Sequence, residues 1–259
     1  MAETYQHISF DIDDRVARIT LRRPPLNILN IAMMVEIGEA LTACGNQNDL
    51  VAIVFQGAKE CRAFSAGVAV EEHVPETIYR MLDSFHGIFR ALEQIAKPTI
   101  AVVDGAALGG GCELVCCCDI VIATDRARFG QPEIKLGVFP PVASILLPLA
   151  IGEKRARELI LTGELIDSTE AARWGLVNHV VPVSHVEQKS TEILAKFRDL
   201  SASGLEFTRR SLDLGRGRSL DEALKESENI YLNELMKTSD AIEGIKAFME
   251  KRKPVWRNR

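Results

Sequence analysis

Two carboxylates and a run of glycines are the residues of this 259-residue chain best suited to do chemistry. Gly109-Gly110-Gly111-Cys112-Glu113 opens a short apolar stretch that reads as a helix from about Cys112 to Cys117. A helix N-terminus carries unpaired N–H groups and the positive end of the macrodipole. With no side chain on Gly109 to Gly111, a carbonyl or an anion can come within hydrogen-bonding distance of that backbone, which is the geometry of an oxyanion hole. Glu113 sits beside it. A structural reading stands next to this one: the glycines let the helix pack tightly on a strand, and Glu113 answers the first-turn preference for acids. The second carboxylate, Glu133, lies in the turn-like Phe129-Gly130-Gln131-Pro132-Glu133, beyond a strand read over Asp119 to Ala123. Strand ends are where α/β sites collect. Spacing alone does not bring Glu113 and Glu133 together, and an acid in a loop is commonly solvated.

Other chemistries lose their usual supports. The chain has no GxGxxG after a strand, no GxxxxGK[ST], no HExxH and no GxSxG. Lys and Arg total 31 against 36 Asp and Glu, a net charge of −5, so the basic footprint of a general nucleic-acid binder is missing. Six cysteines, Cys44, Cys61, Cys112, Cys116, Cys117 and Cys118, match neither a zinc ribbon nor a redox CxxC and read as buried, reduced, small hydrophobes. No metal is expected. The five histidines form no pattern, and His73, nearest the Phe64-Ser65-Ala66-Gly67 loop, reads as a surface residue. Apolar runs such as Ile145 to Ile151, broken by Pro148, are too short to span a bilayer, and the acidic, polar Met1 to Asp14 has no secretory pattern. A cytoplasmic protein is the expectation.

The elements that must hold these residues alternate. Val16 to Leu21 reads as a half-buried strand, and Asn30 caps a helix with Met33, Met34, Ile37, Ala40, Leu41 and Cys44 on one face. Leu50 to Phe55 is a strand covered on both faces, Ala63 to Val74 a loop, and Met81 to Leu92 an apolar helical stripe ending before Lys97-Pro98. Thr99 to Val103 is again a buried strand. This order predicts an α/β architecture with crossover connections. From Gly152 onward helices dominate: Lys154 to Leu161, Ser168 to Trp174 with Ser168 as cap, Val186 to Phe197, Leu220 to Met236 and Ala241 to Lys251. The expected division is an α/β core over residues 1–195 and a helical region over 196–259.

At the glycine and glutamate motifs the chain resembles the crotonase (enoyl-CoA hydratase/isomerase) superfamily. The resemblance runs from Pro25-Leu26-Asn27-Ile28-Leu29 through Phe64-Ser65-Ala66-Gly67 and Lys97 to Leu114, then Cys118-Asp119, Phe129 to Glu133, Leu161-Thr162-Gly163 and Ala171 to Val177. It implies a spiral of repeated ββα units with a C-terminal helical region used in assembly, as a homotrimer or dimer of trimers. It also implies an acyl-CoA thioester substrate whose carbonyl oxygen accepts from two backbone N–H groups, mapped here onto Val68 and Gly110. Members that hydrate a double bond are similar to this chain in carrying both glutamates, Glu113 and Glu133. One would be ionised to take a proton from water and the other protonated to deliver one to carbon. No cofactor is implied, because coenzyme A arrives with the substrate.

Where hydratases of fatty-acid oxidation continue with Pro-Gly-Ala-Gly-Gly and Thr-Gln-Arg-Leu, this chain reads Phe139-Pro140-Pro141-Val142-Ala143-Ser144-Ile145-Leu146-Leu147. That stretch is similar to cyclohexa-1,5-diene-1-carbonyl-CoA hydratases of anaerobic aromatic degradation, and it implies an acyl pocket lined by Pro141, Val142 and Ile145. Ala66 is expected against the substrate. Ala69 stands where the family's loop has Asp, which puts local capping in question. Cations for the coenzyme phosphates are sought in Arg22, Arg23 and Lys251-Arg252-Lys253, although basic residues at a helix end also serve as dipole partners. Competing expectations are an isomerase with Glu133 as proton shuttle, a fatty-acyl hydratase, a thioester hydrolase, and a non-catalytic RNA-binding member disfavoured by the acidic balance.

Overall fold

The computed structural model describes residues 5–258. Strands β1 (Ile8–Asp13) and β2 (Val16–Leu21) form an antiparallel hairpin whose two turn residues, Asp14 and Arg15, both have positive φ, the backbone that matches the twist of paired strands. Helix α1 (Ile31–Gly45) follows, with Asn30 Oδ1 accepting from Met33 N–H at 3.1 Å as expected for the cap. Three successive ββα units then wind up the molecule. The first is β3 (Ala52–Gly57), β4 (Ala63–Ser65) and α2 (Ile78–Ile95). The second is β5 (Thr99–Val103), β6 (Ala106–Leu108) and α3 (Gly110–Cys117). The third is β7 (Ile120–Thr124), β8 (Arg128–Gly130), a 3-10 turn at Pro132–Leu136 and α4 (Ala143–Ile151).

Each unit gives its first strand to one sheet and its second to another. Beyond α4 come α5 (Glu153–Thr162), β9 (Leu165–Asp167), α6 (Ser168–Trp174), β10 (His179–Val181) and α7 (Val186–Arg198). The larger sheet runs β1-β2-β3-β5-β7-β10, parallel except for β1, and the smaller runs β4-β6-β8-β9, parallel except for β9. Sequential crossovers between neighbouring parallel strands produce this stepwise order. The result is the spiral of ββα units implied by the resemblance.

Alternation explains why the large sheet's strands read as unbroken apolar runs. Ile53, Phe55, Ala101 and Val103 face the main core under α1 and α2, while Ala52, Val54, Ile100 and Ile122 face a second core with Ile193 and Leu194 of α7. The Val, Ile, Leu and Phe side chains among these each contribute roughly 1.5–3 kcal/mol on burial. Strand β2 is half-buried as its alternation indicated: Ala17, Ile19 and Leu21 join the main core while Arg18 and Thr20 stay partly exposed, and only Val16 at its start joins the second core.

The C-terminal helices are α8 (Ala202–Asp213), α9 (Leu220–Asn233) and α10 (Ser239–Met249). Residue 195, the expected boundary, falls inside α7. Helix α8 is tied to the core by Lys97 Nζ, which donates to Glu206 at 2.8 Å, and by Arg209, which reaches Asp119 at 3.0 Å and Leu92 O at 3.3 Å. Asp240, 2% exposed, accepts from Ser201 Oγ and from the Arg257 and Asn258 N–H groups, fastening the chain's end. The cap of α6 is Asp167, whose side chain accepts from Glu170 N–H, and Ser168 is the first helical residue with its hydroxyl donated to Asp125 O.

Candidate active site

The loop after β4 and the start of α3 come together as two backbone arms. Leu29 bridges the first arm: its N–H donates to Gly67 O and its carbonyl accepts from Ala69 N–H, both at 2.9 Å. Extended alternation turns the intervening Val68 N–H to the other side, where no protein acceptor meets it among the described residues. On the second arm, Gly110 is the first residue of α3, so its N–H has no intrahelical partner. Gly109 precedes it at φ +51, a conformation that favours glycine. A Cβ on Gly110 would lie 2.7 Å from Val68 Cγ2 and 3.0 Å from Phe85 Cζ, so the arms meet at glycine-only distance. The helix starts at Gly110 rather than Cys112: the glycines are its first turn, not its preface.

Glu113, one turn into α3, is 2% exposed. Its Oε1 accepts from Ala143 N–H at 2.8 Å, at the N-terminus of α4. Burial pushes its carboxyl up to about 7; the amides of Ala143 and Val142 oppose that rise, and the nearby Glu133 adds to it. Glu133 stands in the 3-10 turn at Pro132–Leu136, and burial raises its carboxyl as well. Its Oε2 is buried without a hydrogen-bond partner among the described residues, and its Oε1 packs on Gly109, where an added Cβ would approach within 2.5 Å. The two acids that spacing could not join face one cavity, where the charge of Glu133 adds to the rise of Glu113.

Both arms and both acids line one cavity of about 390 Å³. Of the residues expected at the substrate, Ala66, Val68, Gly110, Glu113, Glu133 and Pro141 line it. Val142 does not; it is partly buried against the main core, with its amide directed to Glu113. Ile145, 69% exposed, faces outward on α4. The walls come instead from Ile78, Met81, Leu82 and Phe85 of α2 and from Leu136, Val138, Phe139 and Pro140. The apolar stripe of α2 was legible, but its division between core and cavity was not. His73, exposed as expected, nevertheless sits at the cavity wall with Nδ1 on Ala69 O at 2.9 Å.

The candidate cations lie elsewhere. Arg23 donates to Ile28 O at 3.0 Å and braces its own loop, and Arg22 pairs with Glu60. Lys251 follows α10, exposed and away from the cavity lining, and Arg252 is engaged by Glu243 and Glu250. The Ala69 departure leaves the loop ordered by other means: Glu72 turns back to accept from Ile31 N–H at 2.8 Å, joining the loop to the start of α1.

Comparison with known proteins places this geometry in context. Residues 11–259 match the family described as enoyl-CoA hydratase/isomerase. A protein of Mycobacterium tuberculosis named "Probable enoyl-CoA hydratase" is 40% identical over 99% of this chain and 100% of its own length. A cyclohexa-1,5-dienecarbonyl-CoA hydratase of Thauera aromatica is 37% identical, covering 95% of each chain. The crystal structure of an enoyl-CoA hydratase from Bacillus anthracis superposes with a TM-score of 0.91 at 33% identity, covering 98% of this chain and 100% of that one.

Proposed function

The chain belongs to the enoyl-CoA hydratase/isomerase family and is a lyase, and from that premise we propose that it adds water across a C=C bond conjugated to a coenzyme A thioester. The observation that carries the reading is the convergence of Glu113 and Glu133 on one cavity with the unpartnered Val68 and Gly110 amides. One carboxylate takes a proton from water as its oxygen attacks the electrophilic carbon. The electron pair moves onto the thioester oxygen, where each amide stabilises the enolate by on the order of 3 kcal/mol. The other carboxyl, protonated, delivers its proton to the α carbon and the carbonyl reforms. No further cofactor enters this scheme, since the thioester is the electron sink.

For the acyl group we propose a cyclic dienoyl thioester, cyclohexa-1,5-diene-1-carbonyl-CoA. Its support is the Thauera aromatica relative so named and the Phe139-Pro140-Pro141 segment, which with Phe85 gives the cavity a rigid apolar lining. A linear short-chain enoyl-CoA is the second reading, favoured by the 40% identical relative. Mass-resolved turnover of the two thioesters side by side decides between them.

The same reading includes a homotrimer or dimer of trimers. Leu212, Phe248, Met249 and Val255 in the C-terminal region, and Ile145, Leu149 and Leu161 on α4 and α5, are each more than 60% exposed and suit burial against further copies. Light scattering on the purified chain tests it, a monomer refuting it. We assign the enzyme to the cytoplasm, on cysteines suited to remain as inert thiols: burial pushes Cys44 up to about 12 and Cys117 to about 11. Among the described residues no helix is long and apolar enough to cross a membrane.

A further inference from the structure

Ser65 is fully buried and touches both backbone arms of the site. Its Oγ donates to Asn27 O at 2.7 Å and accepts from Gly67 N–H at 3.2 Å, one residue before Val68. On its other side Ser65 is wedged against α3: a Cβ on Gly111 would lie 2.5 Å from Ser65 O and 2.7 Å from Ser65 Cβ, one residue after Gly110. The hydroxyl's anchor is itself rigid. Asn27, also fully buried and at φ +50, is held by Arg23 N–H on its Oδ1 at 2.8 Å and by its Nδ2 on Ala63 O at 3.0 Å. Neither Ser65 nor Asn27 lines the cavity, so neither meets the substrate.

We propose that the Ser65 hydroxyl is a positioning residue that sets the spacing between the Val68 and Gly110 amides, and so the polarisation of the bound thioester carbonyl. The inference rests on the hydratase reading above and deepens it. Stabilisation by preorganised donors depends on their being held at 2.7–3.1 Å from the oxyanion before it forms, and misplacement of about 1 Å costs on the order of a hundredfold in rate. Asn27 fixes its own carbonyl, that carbonyl fixes the Ser65 hydroxyl, and the hydroxyl holds the Ala66–Gly67 peptide, one residue ahead of the Val68 amide. Meanwhile the body of Ser65 bears on the peptide that follows Gly110. Removing the hydroxyl releases the Gly67 N–H and loosens the first arm against its remaining hold on Leu29, while leaving the second seated.

The test uses butyryl-CoA, whose saturated acyl chain cannot be hydrated, labelled with carbon-13 at the thioester carbonyl and read by isotope-edited infrared difference spectra. Wild-type protein is expected to shift the carbonyl stretch to lower frequency on binding. Ser65→Ala is expected to bind with a Kd within about twofold of wild type, to lose most of that shift, and to lower kcat for hydration about tenfold with KM nearly unchanged. An unaltered carbonyl shift in folded Ser65→Ala overturns the proposal, as does a loss confined to KM. Should Ser65→Ala fail to fold, Ser65→Cys, whose thiol accepts only weakly from Gly67 N–H, serves in its place with the same two outcomes. No shift in the wild-type protein would mean that the thioester does not meet these amides, and the hydratase reading would fall together with this one.

Discussion

The Ala143 amide donates to Glu113 Oε1 at 2.8 Å, so a buried carboxyl at the cavity is held by the N-terminus of the helix that follows the Phe139-Pro140-Pro141 segment. Two prolines in succession supply no N–H, and the next two amides, Val142 and Ala143, are the ones directed at Glu113. The departure from the glycine-rich family pattern therefore bears on the acid as well as on the acyl wall. Burial nonetheless prevails over these two amides, which leaves Glu113 able to exchange a proton near pH 7.

That balance predicts a pH-dependent stability. In the folded chain Glu113 keeps its proton up to about pH 7, whereas in the unfolded chain it loses it near the ordinary value of 4.5. Between those limits the unfolded state binds fewer protons, so stability falls as pH rises, by about 3 kcal/mol in total. Glu113→Gln cannot ionise and loses this slope. Urea unfolding of both proteins from pH 4.5 to 7.5 should show the mutant gaining on wild type as pH rises; a constant difference would show that Glu113 is not the group responsible.

Glu113→Gln and Glu133→Gln are each expected to slow hydration by about a hundredfold or more, since each removes a positioned proton carrier. The double mutant should be little slower than the worse single mutant, because the pair acts as a unit. Near-normal turnover in either single mutant removes that residue from the mechanism.

Gly109→Ala probes the geometry without replacing a titratable group. Its methyl would lie 2.5 Å from Glu133 Oε1 and must push the carboxyl aside, on a backbone of positive φ. Turnover should fall by about a hundredfold, and crystals of the variant should show Glu133 displaced. Retained activity with Glu133 in place would contradict its role. Gly110→Pro is a less clean probe of the donor, because its ring carbon would also crowd Val68 and Phe85.

The seat of α8 is tested by Glu206→Ala. Lys97 is 4% exposed, and loss of its partner strands a buried ammonium at a cost of about 3 kcal/mol. The urea midpoint should drop accordingly, while Glu206→Ala/Lys97→Met should recover most of the loss. A single mutant as stable as wild type would show that the pair does not hold the helix.

The parts of the molecule legible in the sequence were those with period and length. Leu50 to Phe55, the Asn30 cap and the α6 and α7 stretches all carried their own pattern. The three-residue strands β4, β6, β8, β9 and β10 did not, because three residues cannot display alternation and their pairing is decided by distant partners. Helix α8 was missed because its buried Arg209 and Ser203 read as solvent-facing until their partners are in place. At the site, the residues singled out the two glutamates and the family resemblance singled out Val68 and Gly110, and all four line the cavity. The cavity wall was not: Val142 and Ile145 were expected there, but the turn of α4 carries them to the core and to the surface, and Phe85 and Phe139 stand in their place.

The central claim is water addition by the Glu113–Glu133 pair, and mass-resolved turnover of crotonyl-CoA and cyclohexa-1,5-diene-1-carbonyl-CoA in oxygen-18 water tests it most directly. The predicted result is a thioester product heavier by one labelled water, formed faster from the cyclic diene and lost in Glu113→Gln. A product of unchanged mass with a moved double bond, or free coenzyme A thiol in place of a hydrated thioester, would contradict it.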